Sequence, residues 1–131
     1  MANVRLLQQT ILAIEDRPDL LRSDQWATRT STGVTYDFAA WAITLAYPDA
    51  AFAFDRRVDG DTGPITVADK VIPRPGDAPA WIQDVAVELL DLDAETADIL
   101  FADENRVADL TRIVDAILET ADDSEFEDVA A

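Results

Sequence analysis

The sequence contains no cysteine and no histidine. The absence of cysteine excludes thiol nucleophiles, disulfides and iron–sulfur clusters, and the absence of both residues excludes Cys/His zinc sites. Histidine is also the side chain that most often acts as a general base near neutral pH. The sequence therefore predicts no catalytic residue, no metal site and no cofactor, and indicates a protein that is not an enzyme.

Long apolar runs, glycine and proline are scarce as well. No run approaches the roughly 20 apolar residues that a membrane span needs. Four glycines and six prolines among 131 residues are too few for a fibrous or disordered chain. The first residues, Met1 to Arg5, open into an amphipathic pattern and not into a signal sequence. We expect a cytoplasmic protein that does not bind membranes.

Basic residues are scarce and unevenly distributed. The net charge is −17, from 27 acidic and 10 basic residues. Residues 1–74 hold 10 acids and 8 bases (net −2), whereas residues 75–131 hold 17 acids and 2 bases (net −15). Such a field opposes direct binding to nucleic acid and favours a protein partner with a basic surface. A well-solvated acidic surface, or a high-salt or GC-rich source, would also explain the composition.

Apolar residues make up 49% of the chain and recur with helical spacing in several segments. Val4, Leu7, Ile11 and Ile14 follow one another at intervals of 3, 4 and 3, which predicts a first helix capped by Asn3. A second helix is predicted at about 35–47, with Thr35 or Asp37 as its cap. Further helices are predicted after the caps Asp77 and Asp93, the second of them with Phe101 facing inward, and from residue 107 onward with Asn105 or Asp103 as the cap.

The middle of the chain has a different period. Residues 51–58 have the two-residue period of a strand, with Phe52 and Phe54 on one face, 59–63 read as a turn, and 65–67 resume as a strand that 71–72 could extend. Residues 22–34 read as a loop that contains Trp26. The predicted fold class is α+β, mainly α, with about five helices around one core and an inserted antiparallel β-hairpin. We expect one globular domain at 1–120 and an acidic disordered tail at 121–131.

The order of these elements resembles a family of small proteins found in actinobacteria and in the phages that infect them. Members of that family carry C-G-T-A-x-C-F-A-G-W-A and later L-L-G-L…A-x-x-L-F…N-x-x-x-D-L-x-x-I-V. Residues 32–42 here read TGVTYDFAAWA, and the later pattern is met by Leu89-Leu90-Asp91-Leu92, Ala97, Leu100-Phe101, Asn105, Asp109-Leu110 and Ile113-Val114.

The departures from that pattern bear on function. Thr32 and Asp37 stand at the two cysteine positions, and Ala40 stands at the second glycine. Any metal or redox role built on the cysteine pair is therefore absent here. Because no activity is established for the family, the resemblance implies a fold and transfers no catalytic residue.

Two groups of residues are candidates for a protein interface. Trp26 is a large aromatic residue in a polar segment, so it either folds back onto the core or anchors a partner. Trp41 and Trp81 have helical core spacing and are expected to be buried. The acidic candidates lie in the last third of the chain: Asp103, Glu104, Asp109, and the tail motif of Glu125, Phe126 and Glu127.

Other patterns have simpler explanations. Asp84 and Glu88 have the spacing of a paired-carboxylate site, although such pairs are common on solvated helix faces. Asp59-Gly60-Asp61 lacks the further ligands of a calcium loop. The last helices are too acidic for a DNA-reading helix-turn-helix. The leading hypothesis is a non-enzymatic interaction protein from an actinobacterial or phage genome that modulates another protein, such as a host factor. The alternatives are an acidic nucleic-acid mimic and a small-ligand module or carboxylate-based enzyme.

Overall fold

A computed structural model describes residues 3–23, 25–30, 33–59 and 63–130. Within them the chain forms five α-helices, one short 3-10 helix and a five-stranded antiparallel sheet, so the α+β class is confirmed. The elements are α1 (Val4–Asp16), a 3-10 helix (Pro18–Leu20), β1 (Ala27–Thr30), β2 (Gly33–Tyr36), α2 (Phe38–Ala46), β3 (Ala51–Asp59), β4 (Gly63–Ile72), β5 (Ala80–Trp81), α3 (Ile82–Leu90), α4 (Ala94–Leu100) and α5 (Val107–Ala130).

Helix α1 forms as its spacing predicts and is capped by Asn3. The Asn3 side chain accepts a hydrogen bond from the backbone N–H of Leu6 (3.1 Å), which satisfies one of the free donors of the first turn. Its amide group also donates to the carbonyl of Leu89 (3.0 Å), which lies near the end of α3. Asn3 therefore ties the first helix to the third as well as starting it.

Helix α2 is the central helix of the core. All residues from Phe38 to Ile43 are buried, and the small alanine side chains allow close packing against α1 and α3. The helix begins later than the predicted residue 35, because residues 33–36 are extended in β2. Of the two caps proposed from the sequence, Asp37 is the one used, and it accepts from the N–H of Ala40 at 2.8 Å.

The sheet is larger than the predicted hairpin, which corrects the sequence interpretation. The strand order is β2-β1-β4-β3, with β5 paired to β4. The segment 22–34 was predicted to be a loop, yet it contains β1 and the start of β2. Its threonines are polar, but they are also β-branched and suit a strand, so polarity alone was the wrong guide.

One row of the sheet connects it to the helices. Tyr36, Ala27, Ala68 and Phe54 are aligned across β2, β1, β4 and β3. Ala27 and Ala68 are buried in the same core as the inner faces of α1, α2 and α3, and the Tyr36 ring lies edge-on to Trp41 at 5.7 Å. The helices therefore cover this face of the sheet, as an isolated hairpin would require.

Strand β4 contains a bulge opposite β3. Phe54 is aligned with Ala68 and Phe52 with Val71, so Asp69 and Lys70 together oppose the single residue Ala53. A bulge of this kind redirects the side chains of the bulged strand. The Lys70 ammonium lies 4.7 Å from the ring of Trp81 on β5. Trp81 is 54% exposed, so the prediction that it is a core residue was wrong, whereas buried Trp41 confirms its prediction.

Helix α3 starts at Ile82, after β5, and not at the predicted cap Asp77, which instead pairs with Arg74 (3.3 Å). Its end is a Schellman turn: the N–H of Leu92 donates to the carbonyl of Val87 (3.2 Å), and Asp91 has a left-handed backbone with φ 53°. Glycine is the residue that adopts this conformation without strain. Asp91 stands at the glycine of the L-L-G-L pattern.

Replacing Asp91 by glycine is expected to stabilise the protein. The left-handed backbone costs a residue with a side chain roughly 1 kcal/mol, and glycine avoids most of that cost. We expect Asp91→Gly to raise the free energy of unfolding in urea by about 0.5–1 kcal/mol, whereas Asp91→Ala, which keeps a Cβ atom, gives no such gain. Equal effects of glycine and alanine would show that backbone strain at residue 91 is unimportant.

Candidate functional site

The two aromatic residues Trp26 and Phe101 meet at the edge of a small crevice. Their ring centroids are 6.0 Å apart at an angle of 81°, an edge-to-face contact. The crevice has a volume of about 120 Å³. It is lined by these two rings and by Ser23, Gln25, Asp37, Asp69 and Asp103. Two of the interface residues predicted from the sequence, Trp26 and Asp103, are thus brought together.

Different elements position the three aspartates. Asp37 lies between β2 and α2. Its N–H donates to the carbonyl of Trp26 (3.1 Å), and this hydrogen bond holds Asp37 beside the start of β1. Asp69 belongs to the bulge in β4. Asp103 follows α4 in the short link to α5. Three aspartates that are far apart in the chain therefore line one space.

Asp37 is the most perturbed of these carboxyl groups. It is 2% exposed, and burial raises its pKa well above the ordinary value of an aspartate. Hydrogen bonds from the N–H groups of Ala40 and of Asp37 itself act in the opposite direction, and the negative charge of Asp103 raises the pKa further. A buried carboxyl group whose pKa is raised by burial and by a like charge is typical of functional clefts, although it also serves as a helix cap here.

Asp69 differs from Asp37 because it has a basic partner. The Arg57 guanidinium lies 2.7 Å from its carboxylate, and this hydrogen bond raises the pKa of Arg57. Arg57 also contacts Asp55 at 3.4 Å. The charge of Asp69 is thus partly neutralised from the β3 side, whereas Asp103 is the acidic neighbour whose charge raises the pKa of Asp37.

The link between α4 and α5 is anchored by Asn105 and Ser23. The Asn105 amide donates to the carbonyls of Ile99 (2.8 Å) and Leu100 (3.1 Å), so it closes the end of α4 and does not cap α5 as predicted. The Ser23 hydroxyl donates to the Asn105 carbonyl at 2.7 Å. These bonds hold Phe101 and Asp103 against the segment that contains Trp26.

The remaining predicted interface residues lie outside the crevice. Glu104 is exposed in the same link. Asp109 accepts from the N–H of Arg106 (2.9 Å) and pairs with Arg112 (2.9 Å), and the first of these bonds is the main cause of its lowered pKa. It therefore stabilises the first turn of α5. The side chains of Glu125, Phe126 and Glu127 lie outside the described residues, and the tail proposed at 121–131 stays a prediction.

Two wider depressions lie elsewhere on the surface. Asp84 and Glu88 line an open groove of about 340 Å³ between α3 and α4, together with Asp98. A second depression, of about 470 Å³, lies where β1 and β4 separate and is lined by Arg22, Thr28, Arg29, Thr30, Pro64, Ile65 and Thr66. The register places Arg29 on the helix-covered face, where its guanidinium lies 4.2 Å from the ring centre of Phe54.

The described part of the chain offers no group of three or more acidic residues arranged to hold a metal ion. Asp61 and Gly60 of the calcium-like turn lie outside that part. None of the described helices is long and apolar enough to cross a membrane. In comparisons with protein families, curated proteins and solved structures, no match to this chain was found.

Sequence reasoning identified Asp37 only as a possible helix cap and did not consider Asp69. A signal for Asp37 was present, because it is a lone acid directly before the apolar run from Phe38 to Ile43, which is buried. No local signal marked Asp69, since its place in the crevice depends on a bulge formed by pairing with another strand. Phe101 was expected to face inward, and it does.

Proposed function

We propose that this protein is a non-enzymatic interaction protein that binds the basic surface of a protein partner, with the crevice at Trp26 as the anchor point. The observation that carries the proposal is the composition of the crevice. Two aromatic rings stand beside three aspartates, and among the described residues that line it there is no lysine or arginine. Such a space is complementary to a lysine or arginine side chain.

The size of the crevice favours a side chain over a metabolite. Pockets for small molecules usually measure roughly 300–1,000 Å³, whereas this one measures about 120 Å³. A basic side chain has an apolar stem and a charged end. The stem would lie against Trp26 and Phe101, and the charged end would face Asp103 and Asp69. No aromatic side chain is among the described residues that line the two wider depressions.

The charge distribution supports the same class of partner. The strongly negative C-terminal part of the chain, net −15 over residues 75–131, includes Asp103. A field of this sign attracts basic surfaces over long range and raises the rate of encounter at low salt. The same field repels nucleic acid. In the alternative function, nucleic-acid mimicry, this protein would occupy the site at which a DNA- or RNA-binding protein binds its nucleic acid.

The proposed source of the partner follows from the resemblance stated above. A phage product of this size would act on a factor of its actinobacterial host, so an actinobacterial lysate is the first place to search. A partner captured there would then be purified and its affinity measured directly, since capture from a lysate does not by itself establish specific binding.

The test compares two variants that remove the same charge. Asp103→Asn changes a carboxylate of the crevice, and Asp115→Asn changes an exposed carboxylate of α5. Charged hydrogen bonds contribute roughly 1.5–3 kcal/mol, so we expect Asp103→Asn to weaken binding about tenfold or more and Asp115→Asn to weaken it less than about twofold. Calorimetry at pH 8 with the purified partner measures both.

Three outcomes separate the functions. A tenfold difference between the two variants supports the crevice as the anchor. Equal, small losses with steep salt dependence and displacement of the partner's DNA would instead support a nucleic-acid mimic whose acidic surface acts as a whole. Failure of any purified partner to bind saturably would contradict the proposed function.

A further inference from the structure

Two of the three aspartates that line the crevice already use one carboxylate oxygen within the fold. The Oδ1 atom of Asp37 accepts a hydrogen bond from the N–H of Ala40 (2.8 Å). The Oδ2 atom of Asp69 accepts one from the Arg57 guanidinium (2.7 Å). Each of these two carboxyl groups therefore has at most one oxygen left for a ligand.

The third aspartate, Asp103, is exposed in the link between α4 and α5. A ligand that paired with Asp103 alone would form an ion pair at the surface, and such pairs are weak. Asp37 and Asp69 are less exposed, with 2% of Asp37 and 29% of the Asp69 side chain accessible to solvent. A ligand held within the crevice therefore meets carboxyl groups that each offer a single oxygen.

Lysine and arginine side chains differ in how they bind single oxygens. A guanidinium group is planar, and its donors form a fixed fork that binds best to both oxygens of one carboxylate. An ammonium group is compact, and its three donors can go to single oxygens of different groups. The small volume of the crevice, about 120 Å³, favours the compact group as well.

We propose that the crevice is selective for a primary ammonium group, so that the partner's anchor is a lysine side chain and not an arginine. This inference rests on the function proposed above, because it names the residue that the partner inserts. Trp26 and Phe101 contact the apolar stem of the lysine, a stem that an amino terminus lacks. The ammonium group donates to one oxygen each of Asp69 and Asp103. Arg57 sets the selectivity, since it occupies the oxygen of Asp69 that a guanidinium fork would need.

The experiment titrates the full chain, with ¹⁵N-labelled tryptophan, with analogues of the two side chains: n-butylammonium for lysine and n-propylguanidinium for arginine. The indole signal of Trp26, assigned with Trp26→Phe, reports occupancy of the crevice by NMR, and buried Trp41 serves as the internal reference. The titrations are made at pH 8 and about 0.15 M salt, which screens general attraction of cations to the acidic surface. We expect n-butylammonium to bind about fivefold more tightly or better, a factor that corresponds to part of one charged hydrogen bond.

A third cation tests the need for N–H donors. n-Butyltrimethylammonium has the same stem and charge as n-butylammonium but no N–H group. We expect it to bind about fivefold more weakly or worse, because it cannot donate to the carboxylate oxygens.

Two variants test the part of Arg57. Arg57→Ala releases the second oxygen of Asp69, so n-propylguanidinium should gain more affinity than n-butylammonium, and the preference should fall to about twofold or less. Arg56→Ala is the matched control, because it removes the same charge from the next residue of β3, on the opposite face of the sheet. It should leave the preference unchanged. Both arginines are exposed on an edge strand, so neither substitution removes a core contact.

The possible outcomes separate this inference from the proposed function. Equal binding of n-butylammonium and n-propylguanidinium, or tighter binding of the latter, would overturn the selectivity and leave the crevice as an anchor for a basic side chain. n-Butyltrimethylammonium binding as tightly as n-butylammonium would overturn it too, as would a preference that Arg57→Ala leaves unchanged. If none of the three cations shifts the Trp26 signal saturably, the crevice is not an anchor for cations, and the proposed function is contradicted with the inference.

Discussion

Asp37→Asn is expected to be more stable than the wild-type protein at pH 8, by about 1–2 kcal/mol in the free energy of unfolding. Burying a polar or charged group without full compensation costs on that order or more. Asparagine keeps the oxygen that accepts from the N–H of Ala40, and it is as good a helix cap as aspartate. It removes the buried charge and the repulsion from Asp103.

The sign of the pH dependence follows from the direction of the pKa shift. Because the pKa of Asp37 is raised in the folded protein, the folded state binds its proton more tightly than the unfolded state does. The favourable contribution of Asp37 is present at low pH. It is lost as the pH rises from the unfolded value of about 4 through the raised folded value. The gain from Asp37→Asn should therefore be large at pH 8 and small at pH 4.5.

Urea unfolding at pH 4.5 and pH 8 measures this difference directly. Asp93→Asn is the matched control, because Asp93 also caps a helix (2.7 Å to the N–H of Thr96) but is exposed and has a lowered pKa. Its substitution should give no gain at pH 8. Asp37→Ala, which removes the charge and the cap together, should be less stable than Asp37→Asn by about 1 kcal/mol. A loss of stability at pH 8 in Asp37→Asn would contradict the electrostatic explanation.

A large loss of stability is expected from Leu7→Ala. Leu7 is 0% exposed at the inner face of α1, and its truncation leaves a cavity that neighbouring side chains fill only in part. Substitutions of this kind cost about 2–5 kcal/mol, a large fraction of the stability of a domain of this size. We expect the midpoint of urea unfolding to fall accordingly, with the slope unchanged.

Leu12→Ala is the control for Leu7→Ala, since it makes the same chemical change in the same helix. Leu12 is 64% exposed, so little apolar contact is lost, and alanine favours the helix slightly more than leucine. Its effect should lie within about 0.5 kcal/mol of zero. Similar losses from both substitutions would mean that α1 does not pack with the face assigned to it.

The helices were largely predictable from the sequence. Their apolar spacing depends only on the 3.6-residue turn, and caps such as Asn3 and Asp93 act on the helix that follows them directly. The cap Asp77 was misassigned because the chain pairs as β5 before α3 begins. The strands were less predictable, since β1 and β2 are stabilised by pairing with each other and with β4.

The sequence by itself excluded thiol and imidazole chemistry and determined the strong negative charge, the α+β class and the helical faces. These properties follow from composition and from contacts between residues a few positions apart. Only the tertiary structure decided where the functional candidates meet. The crevice brings together three aspartates from separate parts of the chain, Asp37, Asp69 and Asp103. Trp26 contacts Phe101, which lies 75 residues later in the sequence. Their shared environment, and with it the raised pKa of Asp37, arises from burial among partners distant in sequence, which no local pattern specifies.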